Sequence, residues 1–282
     1  MANATLRERE RASTQPTNQD FFQFGQGIVK NDKLPSCTSS NPVNPDSDNI
    51  LMSINLLIPH SPTTEYFCNT NLNIYDSPEC VRLATQAATG RHLQIISNHQ
   101  DKAIAVCLCE DDYPGWLSLP DLQFLQPTET RYQPQFISAA EIQQHIPTVI
   151  AFTQAAKQQD NYYLWGGTVA PNYDCSGLMQ SAFKSVGIWL PRDAYQQEAF
   201  SQAIDITELQ PGDLIFFGTP QKATHVGLYL GNNCYIHSSG KDQGRNGIGI
   251  DQLSEQGDKV SQAYYQQLRG AGRVVKSYVG NS

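Results

Sequence analysis

Charged residues are scarce in this chain, and positively charged ones are scarcer still. It has 19 lysines and arginines against 27 aspartates and glutamates in 282 residues, which gives a formal net charge of −8. Nucleic-acid phosphates are bound by basic faces, so no nucleic-acid partner is expected. Long apolar stretches are also missing. No run reaches the roughly 18 residues that a membrane-spanning helix requires, and the sequence therefore predicts no membrane span.

The seven cysteines contain no C-x-x-C pair, which disfavours a zinc ribbon. Cys107 and Cys109 alternate along an apolar run and are interpreted as small buried residues. The N-terminal 19 residues are polar, with three arginines and no apolar segment behind them, which is unlike a secretory signal.

The composition divides the chain into an extension and two domains. Residues 1–60 are rich in Asn, Ser, Thr and Pro and are predicted to be largely disordered. Residues 64–127 contain short apolar runs separated by turn signals, a pattern typical of a small all-β barrel. Residues 138–278 begin with helix signals and continue with strand patterns, which indicates an α+β fold. Ser138 and Glu141 match a capping box, which predicts a helix start.

The most informative segment is Tyr173-Asp174-Cys175-Ser176-Gly177, which precedes an apolar stripe at helical spacing. A thiol at a helix N-terminus lies among unpaired N–H groups and the positive end of the helix dipole, and both favour the thiolate. Asp174 either caps the helix or pairs with a substrate amine, and both interpretations stay open. Cys175 alone could be an inert buried cysteine, but two histidines farther along the chain favour catalysis.

These histidines, His225 and His237, lie in successive strand patterns joined by Gly231-Asn232-Asn233, a strong hairpin signal. Alternation places His225 on the face opposite the apolar residues of its strand. A two-residue loop would put the histidines on opposite faces. A three-residue loop, or a bulge with the same effect, would set His237 opposite Gly227 and diagonal to His225. We predict this second arrangement, in which one imidazole is a base and the other orients it.

A glycine-containing motif, Tyr163-Leu164-Trp165-Gly166-Gly167, precedes the cysteine. The glycine pair permits close approach of the backbone. Tyr163 could direct its hydroxyl at an oxyanion, helped by the Cys175 N–H; a tyrosine packed on a turn is the alternative. Arg192 is interpreted as a structural ion-pair partner of Asp193 or another acid, and both residues are left outside the catalytic set.

These motifs resemble the NlpC family of papain-like cysteine peptidases over about residues 140–278, and residues 64–127 resemble a bacterial SH3-like domain. The resemblance implies a papain-like domain, in which the helix that bears the cysteine packs on an antiparallel sheet, preceded by a small all-β barrel. It makes Cys175 the nucleophile, His225 the base and His237 the orienting residue, with Tyr163 near the oxyanion. It requires no metal and no cofactor.

The same resemblance implies hydrolysis of murein peptides at the bond between the γ-carboxyl of D-glutamate and a diamino acid. Members with an SH3-like domain act on short stem peptides with a free N-terminal L-alanine. Asp174 would then hold the ammonium group, and Tyr113 and Ser176 would bind substrate beside it. The expected partner is a peptidoglycan-derived peptide, and the expected state is a monomer or small homo-oligomer.

Two alternatives keep the fold and change the function. One is a cell-wall peptide-binding protein without activity, and the other is an amidase or acyltransferase that acts on another substrate. The lack of a recognisable signal favours the cytoplasm, with export to the cell wall as the alternative location.

Overall fold

A computed structural model describes residues 64–96, 100 and 102–280 of the chain. The interpretation of residues 1–60 as a disordered extension falls outside these residues. All described residues lie within one contact unit, Leu56–Ser282. No helix in the described part of the chain is long and apolar enough to cross a bilayer.

The first part of the structure is an antiparallel seven-stranded sheet with strand order β3-β2-β6-β5-β4-β1-β7. Its core residues include Ile74, Leu93, Ile104 and Leu117, all fully buried. The expected all-β SH3-like domain is confirmed. The strands are β1 (Glu65–Cys68), β2 (Leu72–Tyr75), β3 (Leu83–Ala87), β4 (His92–Ile95), β5 (Ala103–Leu108), β6 (Tyr113–Ser118) and β7 (Leu125–Thr128), with a 3₁₀ helix at Leu119–Phe124.

Helix α1 (Ala139–Gln158) begins where its sequence predicts. The Glu141 N–H donates to the Ser138 hydroxyl, and the Ser138 N–H donates to the Glu141 carboxylate at 2.9 Å. This capping box satisfies N–H groups that the first turn leaves free. The buried face of the helix, which includes Ile142 and Val149, belongs to the main core.

The second part combines helices with an antiparallel six-stranded sheet of order β10-β15-β11-β12-β13-β14. The predicted α+β fold is therefore confirmed, with the helix that bears Cys175 packed on the sheet. The helices are α2 (Cys175–Lys184), α3 (Ala194–Phe200) and α4 (Lys259–Tyr265), with 3₁₀ helices at Ile206–Glu208 and Lys241–Gln243. The strands are β10 (Gln202–Ile204), β11 (Leu214–Gly218), β12 (Ala223–Gly231), β13 (Cys234–Ser239), β14 (Gly247–Gln252) and β15 (Leu268–Arg273). A small hairpin, β8 (Thr168–Val169) and β9 (Asn172–Tyr173), precedes α2.

Both faces of the larger sheet are covered. On one face, Val226 and Leu228 of β12 join the core that contains α1, α2 and α3. On the other face, Tyr229 packs in a second cluster with Val260 and Tyr264 of α4. His225 lies on this second face, where the Tyr264 ring of α4 stacks on its ring.

The β12–β13 hairpin explains how the two histidines share a face. Asn232 and Asn233 form the turn with φ of 52° and 56°, and Gly231 pairs with Cys234. Leu228 pairs with Ile236, so the register shifts between Tyr229 and Gly231. The loop has two residues, and the bulge supplies the extra residue. His237 therefore lies opposite Gly227, as predicted, through the bulge rather than through a three-residue loop.

Candidate active site

Cys175 is the first residue of α2 and is buried. Asp174 is the N-cap: its Oδ1 accepts a 2.7 Å hydrogen bond from the Gly177 N–H, so the capping interpretation is confirmed. A Cβ on Gly177 would lie 2.0 Å from the carbonyl oxygen of Gly167. Glycine is therefore required here for the loop that contains Tyr163 to close over the start of the helix.

Burial controls the ionisation of the cysteine. It raises the pKa of Cys175 to about 12, and the neighbouring Asp174 charge acts in the same direction. Hydrogen bonds from the N–H groups of Val226 and Ser176, together with Arg192, act to lower the pKa but do not compensate. The prediction of a thiolate is thus wrong for this geometry, because burial raises the pKa of Cys175 by more than the helix N-terminus lowers it. The bond from Val226 places the sulfur against the residue that follows His225.

The imidazoles form a buried chain that continues to a carboxylate. His225 Nε2 lies 2.6 Å from His237 Nδ1, and His237 Nε2 lies 2.6 Å from Asp251 Oδ2. Burial, reinforced by His237, holds the pKa of His225 well below its usual value. Burial also lowers the pKa of His237, although Asp251 opposes this. Both rings are therefore neutral near pH 7. Asp251 was not predicted as a site residue, because its only local signal is an acidic residue near the end of an apolar strand.

Two tyrosines border the cysteine and the histidines. The Tyr264 ring stacks on the His225 ring with centroids 4.4 Å apart and meets the His237 ring edge-on at 5.0 Å. Tyr163 lies within electrostatic reach of Cys175: burial, then the charges of Cys175 and Asp174, raises the pKa of its phenol. The structure thus brings Tyr163 near Cys175, and Tyr264 on α4 is a neighbour of the histidines that no sequence pattern indicated.

Asp174 has a second partner besides the helix. Arg192 donates to both carboxylate oxygens, at 3.1 Å to Oδ1 and 2.6 Å to Oδ2. The same guanidinium donates to the Ser176 hydroxyl at 3.0 Å, and the Gly166 N–H donates to Asp174 Oδ2. The prediction that Arg192 pairs with an acid is confirmed, and the acid is Asp174. Because both oxygens are engaged, Asp174 is a poor partner for a substrate amine.

The SH3-like domain supplies Tyr113 to this region. Burial raises the pKa of Tyr113 well above its usual value, with Asp193 and Asp174 acting in the same direction and Arg192 opposing them. Asp193 is only 3% exposed. Burial raises its pKa to about 6, against the lowering effect of Arg192. Tyr113 and Asp193 are therefore neighbours of the Asp174–Arg192 pair, and Asp193 is a carboxylate that the sequence analysis set aside.

Buried hydrogen bonds hold the two domains in this arrangement. Arg192 Nε donates to the Thr85 hydroxyl at 2.9 Å. Gln180 on α2 donates to Asp111 at 2.8 Å, and Asp111 also pairs with Arg91. Groups of this kind are costly to leave unpaired, so the position of the SH3-like domain beside α2 is well specified.

Comparison with known proteins gives two family matches. Residues 160–269 match the NlpC/P60 family, and residues 74–122 match the bacterial dipeptidyl-peptidase SH3 domain. A probable endopeptidase p60 of Listeria seeligeri is 36% identical over 121 residues, which cover 43% of this chain and 21% of that protein. The murein DD-endopeptidase MepS/murein LD-carboxypeptidase of Escherichia coli is 37% identical over 78 residues, which cover 27% of this chain and 42% of that protein.

The chain therefore spans less than half the length of these curated relatives. A crystal structure of an NlpC/P60 family protein from Bacillus cereus matches with 24% identity and a TM-score of 0.40, over 75% of this chain and 64% of that one. The resemblance drawn from the sequence motifs is confirmed by the family matches: the chain carries an NlpC/P60 domain preceded by a bacterial SH3 domain.

Proposed function

We propose that this protein is a cysteine endopeptidase that hydrolyses peptidoglycan-derived peptides, with Cys175 as nucleophile and His225 as base. The main support is geometric. The Cys175 sulfur accepts a hydrogen bond from the N–H of Val226, and the adjacent residue, His225, is joined to His237 at 2.6 Å. Nucleophilic acyl transfer requires a thiol, a base and a group that orients the base. The relatives named as endopeptidases, one of them a murein endopeptidase, support the substrate class.

The mechanism begins with a neutral thiol and a neutral imidazole. As sulfur attacks the carbonyl carbon, the thiol proton moves to His225, and the carbonyl oxygen becomes an oxyanion. In this proposal the Tyr163 hydroxyl and the Cys175 N–H donate to that oxygen. When the tetrahedral intermediate collapses, His225 gives its proton to the leaving amine and a thioester forms. His225 then takes a proton from water, the resulting hydroxide attacks the thioester, and the acid is released with the thiol restored.

At a finer level, we propose cleavage of the γ-D-glutamyl–diamino acid bond in short stem peptides with a free N-terminal L-alanine. Such a substrate needs a carboxylate for its ammonium group, since an unpaired buried charge costs several kcal/mol. Asp174 and Ser176 line this region but are bound to Arg192. Asp193 is the remaining carboxylate, buried beside Tyr113 at the N-cap of α3 and, among the described residues, without a two-point arginine pair of its own. We therefore assign the ammonium to Asp193 and Tyr113, with Asp174 and Arg192 as the framework of the pocket.

The test is to incubate the purified chain with L-Ala-γ-D-Glu-diaminopimelate and to identify the products by mass spectrometry. The expected products are L-Ala-D-Glu and free diaminopimelate. Cys175→Ala should abolish turnover. Cys234→Ala, which removes a partly buried cysteine at the start of β13, is the matched control and should retain it.

The other functions give different outcomes. A pure binding protein would bind the tripeptide and release nothing, with Cys175→Ala binding equally well. An amidase or acyltransferase with another substrate would leave the tripeptide intact. Equal turnover of N-acetylated and free tripeptide would contradict the ammonium pocket while leaving the peptidase intact.

A further inference from the structure

We infer that Asp251 is a positioning residue that sets the tautomers of both active-site histidines, so that His225 presents a bare Nδ1 to the thiol. This inference rests on the proposed function. Asp251 lies on β14, one strand beyond His237, and is 3% exposed. Its Oδ2 is 2.6 Å from His237 Nε2, and a carboxylate at this distance can only accept. His237 must therefore carry its proton on Nε2.

The position of the proton on His237 determines the position of the proton on His225, because the two rings share a hydrogen bond. A neutral imidazole has one donor and one acceptor nitrogen, so a proton on Nε2 leaves His237 Nδ1 as an acceptor. The 2.6 Å contact between His237 Nδ1 and His225 Nε2 then requires the proton of His225 to lie on Nε2. The remaining nitrogen, His225 Nδ1, keeps its lone pair and can take the thiol proton. Burial lowers the pKa of both rings, so both stay neutral near pH 7.

Arg245 holds the Asp251 carboxylate in the orientation that the hydrogen bond to His237 requires. It donates to both oxygens of Asp251, with Nε 3.2 Å from Oδ2. Gly249, which pairs with His237 across β13 and β14, leaves room for the arginine, because a Cβ there would lie 3.2 Å from Arg245 Cδ. Burial acts to raise the pKa of Asp251, but the hydrogen bonds from His237 and Arg245 outweigh it and hold the pKa below its usual value. Asp251 is therefore charged at neutral pH, and as a carboxylate it has no proton to donate to His237.

Asp251→Asn tests the role with little change of shape. Arg245 can only donate, so the new amide turns its oxygen toward the guanidinium and its NH₂ toward His237 Nε2. His237 then carries its proton on Nδ1, and His225 also carries its proton on Nδ1, the nitrogen that is not bonded to His237. In this tautomer His225 Nδ1 has no lone pair, so it cannot take the proton of the thiol. With the tripeptide substrate, we expect kcat to fall at least about tenfold while KM changes less than about twofold.

The second readout is independent of substrate. In ¹⁵N NMR spectra of the full chain, both histidines should be Nε2–H tautomers near pH 7, and Asp251→Asn should convert both to Nδ1–H. Asp213→Asn is the matched control, since Asp213 is also a buried carboxylate held by an arginine, Arg273, at 2.8 Å. It should change neither the tautomers nor kcat.

An Nδ1–H tautomer of His225 in the unaltered protein would overturn the inference even if Asp251→Asn failed to fold. Full kcat in a folded Asp251→Asn would also overturn it and leave the peptidase function standing. The expected tautomers and their reversal, in a protein that never cleaves the tripeptide, would support the positioning role and contradict the proposed function alone.

Discussion

Arg192 and Asp174 form a two-point ion pair at the residue before Cys175, with guanidinium nitrogens 3.1 and 2.6 Å from the two carboxylate oxygens. The same carboxylate caps α2 through the Gly177 N–H. The arginine therefore holds the residue that begins the helix of Cys175. Arg192 also donates to Thr85 of the SH3-like domain. One side chain therefore connects the start of the helix that bears Cys175 to the SH3-like domain.

Arg192→Gln should be strongly destabilising. It leaves Asp174 buried without its charge partner, and breaking such a pair costs about 3–5 kcal/mol. Urea unfolding followed by circular dichroism measures the free energy of unfolding. Arg269→Gln is the comparison, because the Arg269–Glu198 pair is partly exposed and should contribute no more than about 1 kcal/mol. Similar losses in both variants would show that the Arg192–Asp174 pair is not structurally important.

Gly177→Ala should displace the start of α2. The added Cβ would meet the Gly167 carbonyl oxygen at 2.0 Å, a backbone atom that cannot move without the loop. We expect a loss of about 1–3 kcal/mol in unfolding free energy, together with a fall in kcat because Cys175 moves with the helix. Gly270→Ala is the control: nothing lies within 4 Å of a Cβ there. Full activity and unchanged stability in Gly177→Ala would contradict the close approach.

The sequence predicted the parts of the site that local patterns determine. The helix start at Cys175 follows from its capping residue and apolar stripe. The shared face of His225 and His237 follows from strand alternation, once a bulge or an added loop residue is allowed. These signals lie within about 15 residues of each group. They can be interpreted without any knowledge of long-range packing, because side-chain direction depends on the local backbone.

The remaining parts depend on contacts between distant segments. Asp251 reaches His237 only through the pairing of β13 with β14, and Tyr264 reaches His225 only because α4 packs over the sheet. The pKa of Cys175 is shifted in the direction opposite to the expected one for the same reason. Burial depends on the whole folded chain, and its effect on the pKa outweighs that of the helix N-terminus. No local pattern identifies Asp193 as a neighbour of Tyr113 from the other domain.

Gly227→Ala should disturb the histidine pair more than the fold. A Cβ at this position would lie 2.7 Å from Tyr235 Cδ2 and 3.3 Å from His237 Cβ. Either ring must shift, and a shift of His237 lengthens its 2.6 Å contact with His225. We expect kcat to fall about tenfold or more, since the orientation of the base is lost. Steady-state kinetics with the tripeptide gives kcat; a value equal to that of the unaltered protein would mean that the rings do not need this space.

The ionisation of Asp193 should be visible in the pH dependence of substrate use. Burial raises its pKa to about 6, with Asp174 and Asp111 acting in the same direction and Arg192 and Lys222 opposing it. The carboxyl is therefore charged above about pH 6 and neutral below it. A neutral acid cannot pair with an ammonium group, so kcat/KM for the free tripeptide should fall as the pH drops through about 6, because kcat/KM reports the ionisation of the free enzyme.

Asp193→Asn separates this ionisation from all others in the active site. The ratio of kcat/KM between the unaltered protein and Asp193→Asn cancels the titrations that both share. The ratio should be large at pH 7.5 and should approach one below pH 6, where Asp193 is protonated and resembles an amide. With N-acetylated tripeptide, which has no ammonium group on its L-alanine, the ratio should stay flat. A ratio that is constant from pH 5 to 8 with the free tripeptide would mean that the Asp193 carboxylate does not bind the amine.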